Sequence, residues 1–344
     1  MRPVTLILDS IAAVLMIGLL IFSNKDPDTD DYVNRNFNKL SLVVITMSMI
    51  DAFIAVADIY IGGFDISQIR MMQPGEASEL IMYAVISFSN VFMTTVFLFI
   101  WITFLAWRLY HDRGIHKRNI WFNAIPLFVS ASVFVIGCIF FLISDKAKVF
   151  LGISFLMFYA IRGVYLVVTW RLLKNYKAQE GYLRFFNVVH FLLPVIIGWL
   201  VQDFTPLNLR ALGSAIGTAV LYRSVWIERR YIDKESGFYN RSYIEYLRFL
   251  IRSMRFSPGG ALVFDLDNME DAKIFYDVLK KALPDDCDPL RLDDSRVVVL
   301  TKIRERGPLY MVLQDVKEAL EIDGKCILMK KDETSEEFLE RVLA

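Results

Sequence analysis

Arg291-Leu292-Asp293-Asp294-Ser295-Arg296-Val297-Val298-Val299-Leu300 is the stretch on which the fold of the C-terminal third turns. Val297 to Leu300 is an uninterrupted apolar run of the kind a buried strand needs, and the Asp-Asp-Ser ahead of it is turn chemistry.

Working outward, Gly259-Gly260 leads into Ala261-Leu262-Val263-Phe264-Asp265-Leu266-Asp267, which reads as a buried strand ending in two carboxylates. Carboxylates one residue apart at a strand end can present oxygens to Mg²⁺ and to a substrate phosphate. Further upstream, Asp233-Lys234-Glu235-Ser236-Gly237-Phe238-Tyr239-Asn240-Arg241 precedes an amphipathic helix that runs to about Arg255. Downstream, Leu309 to Leu320 reads as a helix, Lys325 to Lys330 as a strand and Ser335 to Leu343 as a closing helix.

Together these segments resemble the GGDEF family, the diguanylate cyclase domain of bacterial signalling proteins. That family opens on a D-x-L-T-G-L-x-N-R turn, matched by Asp233, Gly237, Asn240 and Arg241 with Ser236 for the Thr. Its first core strand ends D-[LI]-D-x-F, matched by Asp265, Leu266, Asp267 and Asn268 with Met269 for the Phe. Its signature hairpin, R-x-G-G-D-E-F-x-V-L-L, is framed here by Arg291 to Thr301. Asp293, Asp294, Ser295, Arg296 and Val297 replace the five signature letters.

The resemblance implies a reduced nucleotidyl-cyclase-like α/β fold over residues 233–344 and a lost reaction. Two aspartates stand where glycines would let the backbone approach a triphosphate. Ser295 replaces the acid that helps hold the metal, and Arg296 reverses the next charge. The segment Asn268 to Leu290 is shorter than the family's, and its two guanine-reading positions fall on Lys273 and Ala282. Pro284 and Cys287 occupy the places of the family's Arg-x-x-Asp feedback site. No catalytic residue and no cofactor is expected. Asp265 and Asp267 are a vestigial metal pair, and Mg²⁺ would accompany only residual nucleotide binding. Family cyclases work as dimers, which implies a homodimer.

The rest of the chain has a different character. Of the 344 residues, 55% are hydrophobic, and they concentrate before Glu228. A bilayer core of about 30 Å takes about 20 apolar helical residues. Seven runs approach that length: Val4 to Phe22, Leu40 to Ile61, Leu80 to Trp107, Ile120 to Ile143, Val149 to Trp170, Phe185 to Val201 and Leu207 to Trp226. The first, third and fifth connections hold 11 Lys and Arg against five on the other side. By the positive-inside rule this gives an outside N-terminus and a cytoplasmic C-terminal domain. Asp9 and the lack of a small-residue cleavage site argue for a retained first helix and not a signal peptide.

The expected architecture is therefore a seven-helix transmembrane sensor over 1–227, a connecting helix over 228–236 that continues the seventh helix to Ile232, and a degenerate GGDEF-like domain over 237–344. The protein is expected in the plasma membrane as a multi-pass receptor, with lipid bilayer, a second copy and an unidentified cytoplasmic signalling protein as partners. Residues 228–344 hold 20 basic and 24 acidic side chains, which argues against nucleic acid. The three cysteines and three histidines show no transition-metal spacing.

Ionisable groups inside apolar helices are the sensing candidates, because at that depth they face a bundle interior and mark function by default. Asp51 and Asp58 lie seven residues apart on one helix face, Arg162 sits mid-helix, and Asp203 and Arg210 flank a connection near Trp199. An Asp51 to Arg162 ion pair is the structural reading, and binding of a charged ligand or a proton the functional one. Two further readings compete with the receptor: a cyclase with a divergent site using Asp265, Asp267 and Asp293 or Asp294, and a small-molecule carrier with a regulatory cap.

Overall fold

The computed structural model describes residues 2–24, 31–61, 77–109, 117–143, 148–177, 188–204, 209–233, 236–254, 256–265, 275–276, 279, 283, 287–293, 295–320, 322 and 324–344. The chain divides into two compact units, Met1–Tyr176 with Asn187–Arg223, and Ser224–Ala344 with Lys177–Phe186.

The first unit is helical: α1 (Arg2–Asn24), α2 (Asp31–Ile61), α3 (Ala77–Leu109), α4 (Lys117–Ile143), α5 (Lys148–Lys177), α6 (Val188–Phe204) and the start of α7 (Arg210–Arg230). Helix α1 is inside out relative to a soluble helix. Thr5, Asp9, Ala12, Met16 and Ser23 are buried at helical spacing, while Ile7, Val14, Ile17, Ile21 and Phe22 are exposed. Helix α2 repeats the pattern, burying Asn36, Ser41, Ser48 and Asp51 and exposing Leu42, Met49 and Phe53. Trp101 of α3 stacks on Phe191 of α6 at 3.9 Å between ring centroids.

Helices α6 and α7 touch through backbone. A Cβ on Gly213 would stand 2.3 Å from the carbonyl oxygen of Pro194 and 3.2 Å from Cα of Gly198. A Cβ on Gly217 would stand 2.8 Å from the Phe191 carbonyl oxygen. Small residues here let two helices approach closer than side chains allow.

Seven membrane spans are not what the structure supports. Among the described residues one helix, Val4–Ser23, is long and apolar enough to cross a membrane, and the apolar stretches Val91–Ala106, Ala124–Ile136 and Val188–Gln202 are shorter. The reason is local. The 17 residues of α6 rise about 26 Å, less than a bilayer core. The apolar stretch of α2 is broken by Asp51 and Asp58, and α7 carries Arg210 and Arg223. The multi-pass placement and the outside N-terminus rested on that count and fall with it.

The second unit carries α8 (Ser242–Arg252), β1 (Gly260–Asp265), β2 (Asp288–Arg291), β3 (Arg296–Thr301), α9 (Arg306–Leu320), β4 (Gly324–Leu328) and α10 (Ser335–Leu343). The sheet order is β2-β3-β1-β4 and every neighbouring pair is antiparallel. This corrects the expected α/β class. The described chain is mostly helical, with one small antiparallel sheet, because the β2–β3 hairpin folds back along β1 and β4 returns on its other side.

Both central strands are buried on both faces, which is why they read as continuous apolar runs and not as alternation. Ala261, Val298 and Leu300 pack with Tyr243, Leu247, Leu250, Phe338 and Leu339 under α8 and α10. Leu262, Phe264, Val297 and Val299 pack with Phe275, Leu279, Leu309 and Leu313 on the opposite face. Helix α10 starts on a complete capping box, with the Thr334 hydroxyl and the Glu337 carboxylate each bonding the other's backbone N–H.

Candidate functional site

The 291–301 hairpin forms as expected, and its chemistry is turned inward. Leu292 N–H donates to the Arg296 carbonyl at 3.0 Å to close the turn. Oδ1 of Asp293 accepts from both the backbone N–H and the hydroxyl of Ser295, each at 2.9 Å. Those bonds hold the Asp293 carboxyl below its ordinary range, the Ser295 hydroxyl contributing most. Asp293 and Ser295 at the hairpin tip are thus bonded to each other.

Behind the hairpin, the segment that opens the unit is fastened to it. Arg291 Nη1 donates to Asp233 Oδ2 at 2.9 Å, and the Ser236 hydroxyl bonds the same carboxylate oxygen. Gly237 holds φ at +79°, a left-handed conformation that favours glycine, while its N–H reaches the Asp233 carbonyl at 2.8 Å. Tyr239 exchanges backbone bonds with β2, donating to Pro289 at 3.1 Å and accepting from Arg291 at 2.8 Å. The Asn240 amide donates to the Arg230 carbonyl at 2.8 Å, and its oxygen accepts from Ser242 N–H at 3.0 Å where α8 begins. Helix α7 ends at Arg230 and does not continue to Ile232, which turns into a bridge with Tyr239.

Asp265 ends β1 exposed to solvent, and its cross-strand partner in register is Arg296 of β3. Partners across an antiparallel pair stand on the same face with Cβ atoms about 5 Å apart. A guanidinium there does not fit a divalent cation, and no group of three His, Cys, Asp or Glu that could hold a metal occurs among the described residues. Asp267 and Asp294 lie outside the described residues, as do Lys273, Ala282 and Pro284. Cys287 is half-buried beside the Phe275 cluster. A cleft of about 450 Å³ beside the hairpin is lined by Arg241, Arg248, Asp293, Arg296, Glu340 and Ile244, among others. Arg248 in it is engaged by Glu245 and, at 2.8 Å, by Glu340.

The helical unit holds the other set of charges. Arg210, 6% exposed, donates from Nε to Gln202 Oε1 at 2.8 Å and from Nη1 to Thr94 Oγ1 at 3.2 Å. Arg162, equally buried, donates from Nη2 to the Val91 carbonyl at 3.1 Å and lies 5.0 Å from the Tyr159 ring and 5.8 Å from that of Trp199. Val91 and Thr94 are one turn apart on α3, so the two guanidiniums reach that helix at adjacent levels. Asp51 is buried to 1% exposure, as is Asp9, and the charges that reach Asp9 are those of Asp51 and Arg210.

Of the sequence candidates, Arg162 and Arg210 meet α3 one turn apart, and Asp51 is buried in the same helical unit. Asp58 and Asp203 sit on α2 and α6 with their side chains outside the described set. Sequence reasoning missed Asp9, Thr94 and Gln202. The signal for Asp9 was its place in the Thr5, Asp9, Ala12, Met16 stripe, which marks an inward face.

No family model and no curated protein matches the chain.

Proposed function

We propose that the protein is a membrane-attached signalling protein whose C-terminal unit is a GGDEF-like frame without cyclase chemistry, acting by contact with a second copy or with a downstream protein. Attachment is supported by the apolar helix Val4–Ser23. The observation that carries the non-catalytic reading is the hairpin tip. Asp293 is committed to Ser295, and Asp265 faces Arg296 where a cyclase needs a metal. The sensing part is the buried charged region of the helical unit, and the C-terminal unit is the output. The acidic surplus after Glu228 speaks for a protein partner over nucleic acid.

The test is direct. Purified full-length protein in detergent or nanodiscs is incubated with Mg²⁺ or Mn²⁺ and each nucleoside triphosphate. The expected outcome is no turnover. Turnover that Asp265→Ala abolishes would replace this reading with a divergent cyclase.

A further inference from the structure

Met254 stands out in the C-terminal unit. It follows α8 at φ +55°, in the left-handed region that favours glycine, and it is 95% exposed. Its backbone serves the fold, donating its N–H to the Ile251 carbonyl at 3.0 Å, while its side chain stands in water. The turn itself gives no reason for a methionine. Beyond Arg230, the large hydrophobic side chains exposed among the described residues are Phe249, Met254, Tyr310 and Met311. They gather at one end of the sheet.

Phe249 lies in the last turn of α8, where its carbonyl accepts from Ser253 N–H at 3.0 Å, and the chain then enters β1 at Gly260. Tyr310 and Met311 lie in the second turn of α9, shortly after β3 ends at Thr301. Gly260 and Thr301 are partners in register, and Arg304 Nη2 donates to the Ser257 hydroxyl at 3.2 Å, joining the two connections. A Cβ on Gly260 would stand 2.7 Å from Leu309 Cδ2, so the start of α9 lies against the start of β1. The charge changes sign there too. Segments 249–257 and 302–311 contain five bases, Arg252, Arg255, Lys302, Arg304 and Arg306, against one acid, Glu305. Residues 228–344 as a whole hold 20 basic and 24 acidic side chains. Arg252 pairs with Glu336 at 2.7 Å, but both groups are exposed and such a pair holds weakly.

We propose that this end of the C-terminal unit docks on an anionic lipid surface, with Phe249, Met254, Tyr310 and Met311 entering the headgroup layer and Lys302, Arg304 and Arg306 meeting lipid phosphates. Apolar side chains set among Lys and Arg bind such a surface because burial of apolar area and attraction to anionic headgroups add. Two flexible methionines and a tyrosine suit an interfacial layer, which has no fixed shape to complement. That composition favours a bilayer over a folded partner. The inference rests on the attachment reading of Val4–Ser23, which brings the bilayer within reach of the unit, and not on the chemistry of the hairpin. Docking makes the output unit sensitive to headgroup charge, and salt releases it.

Met254 and Met311 report on the surface themselves, because hydrogen peroxide oxidises an exposed thioether to the sulfoxide, with water as by-product, and lipid shields a covered one. Full-length protein is placed in nanodiscs of phosphatidylcholine alone or with phosphatidylserine added, and the oxidation rate of each methionine is read by peptide mass spectrometry. Both should oxidise several-fold more slowly with phosphatidylserine, and high salt should remove the difference. Arg304→Glu with Arg306→Glu should abolish the shielding. Met254→Gly, which suits the left-handed turn, should weaken the shielding of Met311. Equal rates in the two lipids overturn the proposal: equally fast rates mean an uncovered surface, and equally slow rates mean a protein, such as a second copy, over the patch. Shielding that survives both high salt and the charge reversal overturns it as well. Protein that does not enter the discs defeats the attachment reading instead, and the same oxidation with added phosphatidylserine vesicles then decides the docking separately.

Discussion

Asp233 and Arg291 are 58 positions apart in sequence and share an ion pair of 2.9 Å in which both side chains are mostly shielded from water. The pair ties the segment that opens the C-terminal unit to the strand that opens its hairpin. A charge-assisted bond of this kind contributes about 1.5–3 kcal/mol when one partner is removed. Arg291→Ala should therefore loosen the 233–241 turn while leaving the helical unit intact. Limited proteolysis and hydrogen exchange of that segment check it, and a double-mutant cycle with Asp233→Asn should show coupling.

The exposed end of β1 predicts the opposite behaviour. Asp265→Ala removes an exposed side chain at the end of β1, opposite Arg296. Its effect on thermal unfolding should stay within about 0.5 kcal/mol. A loss several times larger would mean that the carboxylate is structural.

Helix α10 should be acid-sensitive. Arg341 Nε bonds Glu333 at 2.7 Å, and Nη2 of the same arginine reaches the Leu328 carbonyl at 2.8 Å, fastening α10 to β4. The Arg341 bond holds the Glu333 carboxyl down at about 2, from an ordinary 4.5. A carboxyl depressed on folding stabilises the native state fully above its unfolded value and loses that contribution as protons bind. The stabilisation should be intact above pH 4.5 and fade toward pH 2. Hydrogen exchange of residues 333–343, corrected for intrinsic rates, should show the fade in wild type and a flat profile in Glu333→Gln.

The α6–α7 contact separates glycines that matter from glycines that do not. Gly213→Ala places a methyl 2.3 Å from a backbone oxygen and should cost about 1–3 kcal/mol or force the helices apart. Gly18→Ala and Gly163→Ala meet nothing within 4 Å and should be neutral or slightly stabilising. Thermal melts of the three variants in detergent give the comparison, and equal losses at all three would contradict the packing described.

Much of the element map was legible in the sequence. The seven apolar runs coincide with seven helices, and Ser335–Leu343 forms the closing helix expected there. What apolar length could not decide was the surroundings of each helix, because Asp51, Arg162 and Arg210 look alike whether a bundle or a bilayer encloses them. The antiparallel sheet was hidden for a related reason. Ala261 to Phe264 and Val297 to Leu300 are apolar on both faces, so neither strand displays its neighbours' direction. Asp9 was read as a mark against a signal peptide, since one carboxylate in an apolar run carries no hint of its partners. The stop of α7 at Arg230 was concealed too, for no glycine or proline sits there. The bridge from Ile232 to Tyr239 ends the helix by tertiary pairing.

The backbone pairing of Tyr239 with β2 also settles which border of the sheet stays open. Tyr239 lies parallel beside Leu290 and occupies the hydrogen-bonding groups of Pro289 and Arg291 that an outside strand would need. A sheet margin blocked in this way is protected against edge-to-edge aggregation. The opposite margin is β4, Gly324–Leu328, which has β1 as its strand neighbour. Among the described strands, recruitment of a foreign strand is confined to β4, and there the exposed Lys325 supplies the charge that discourages it.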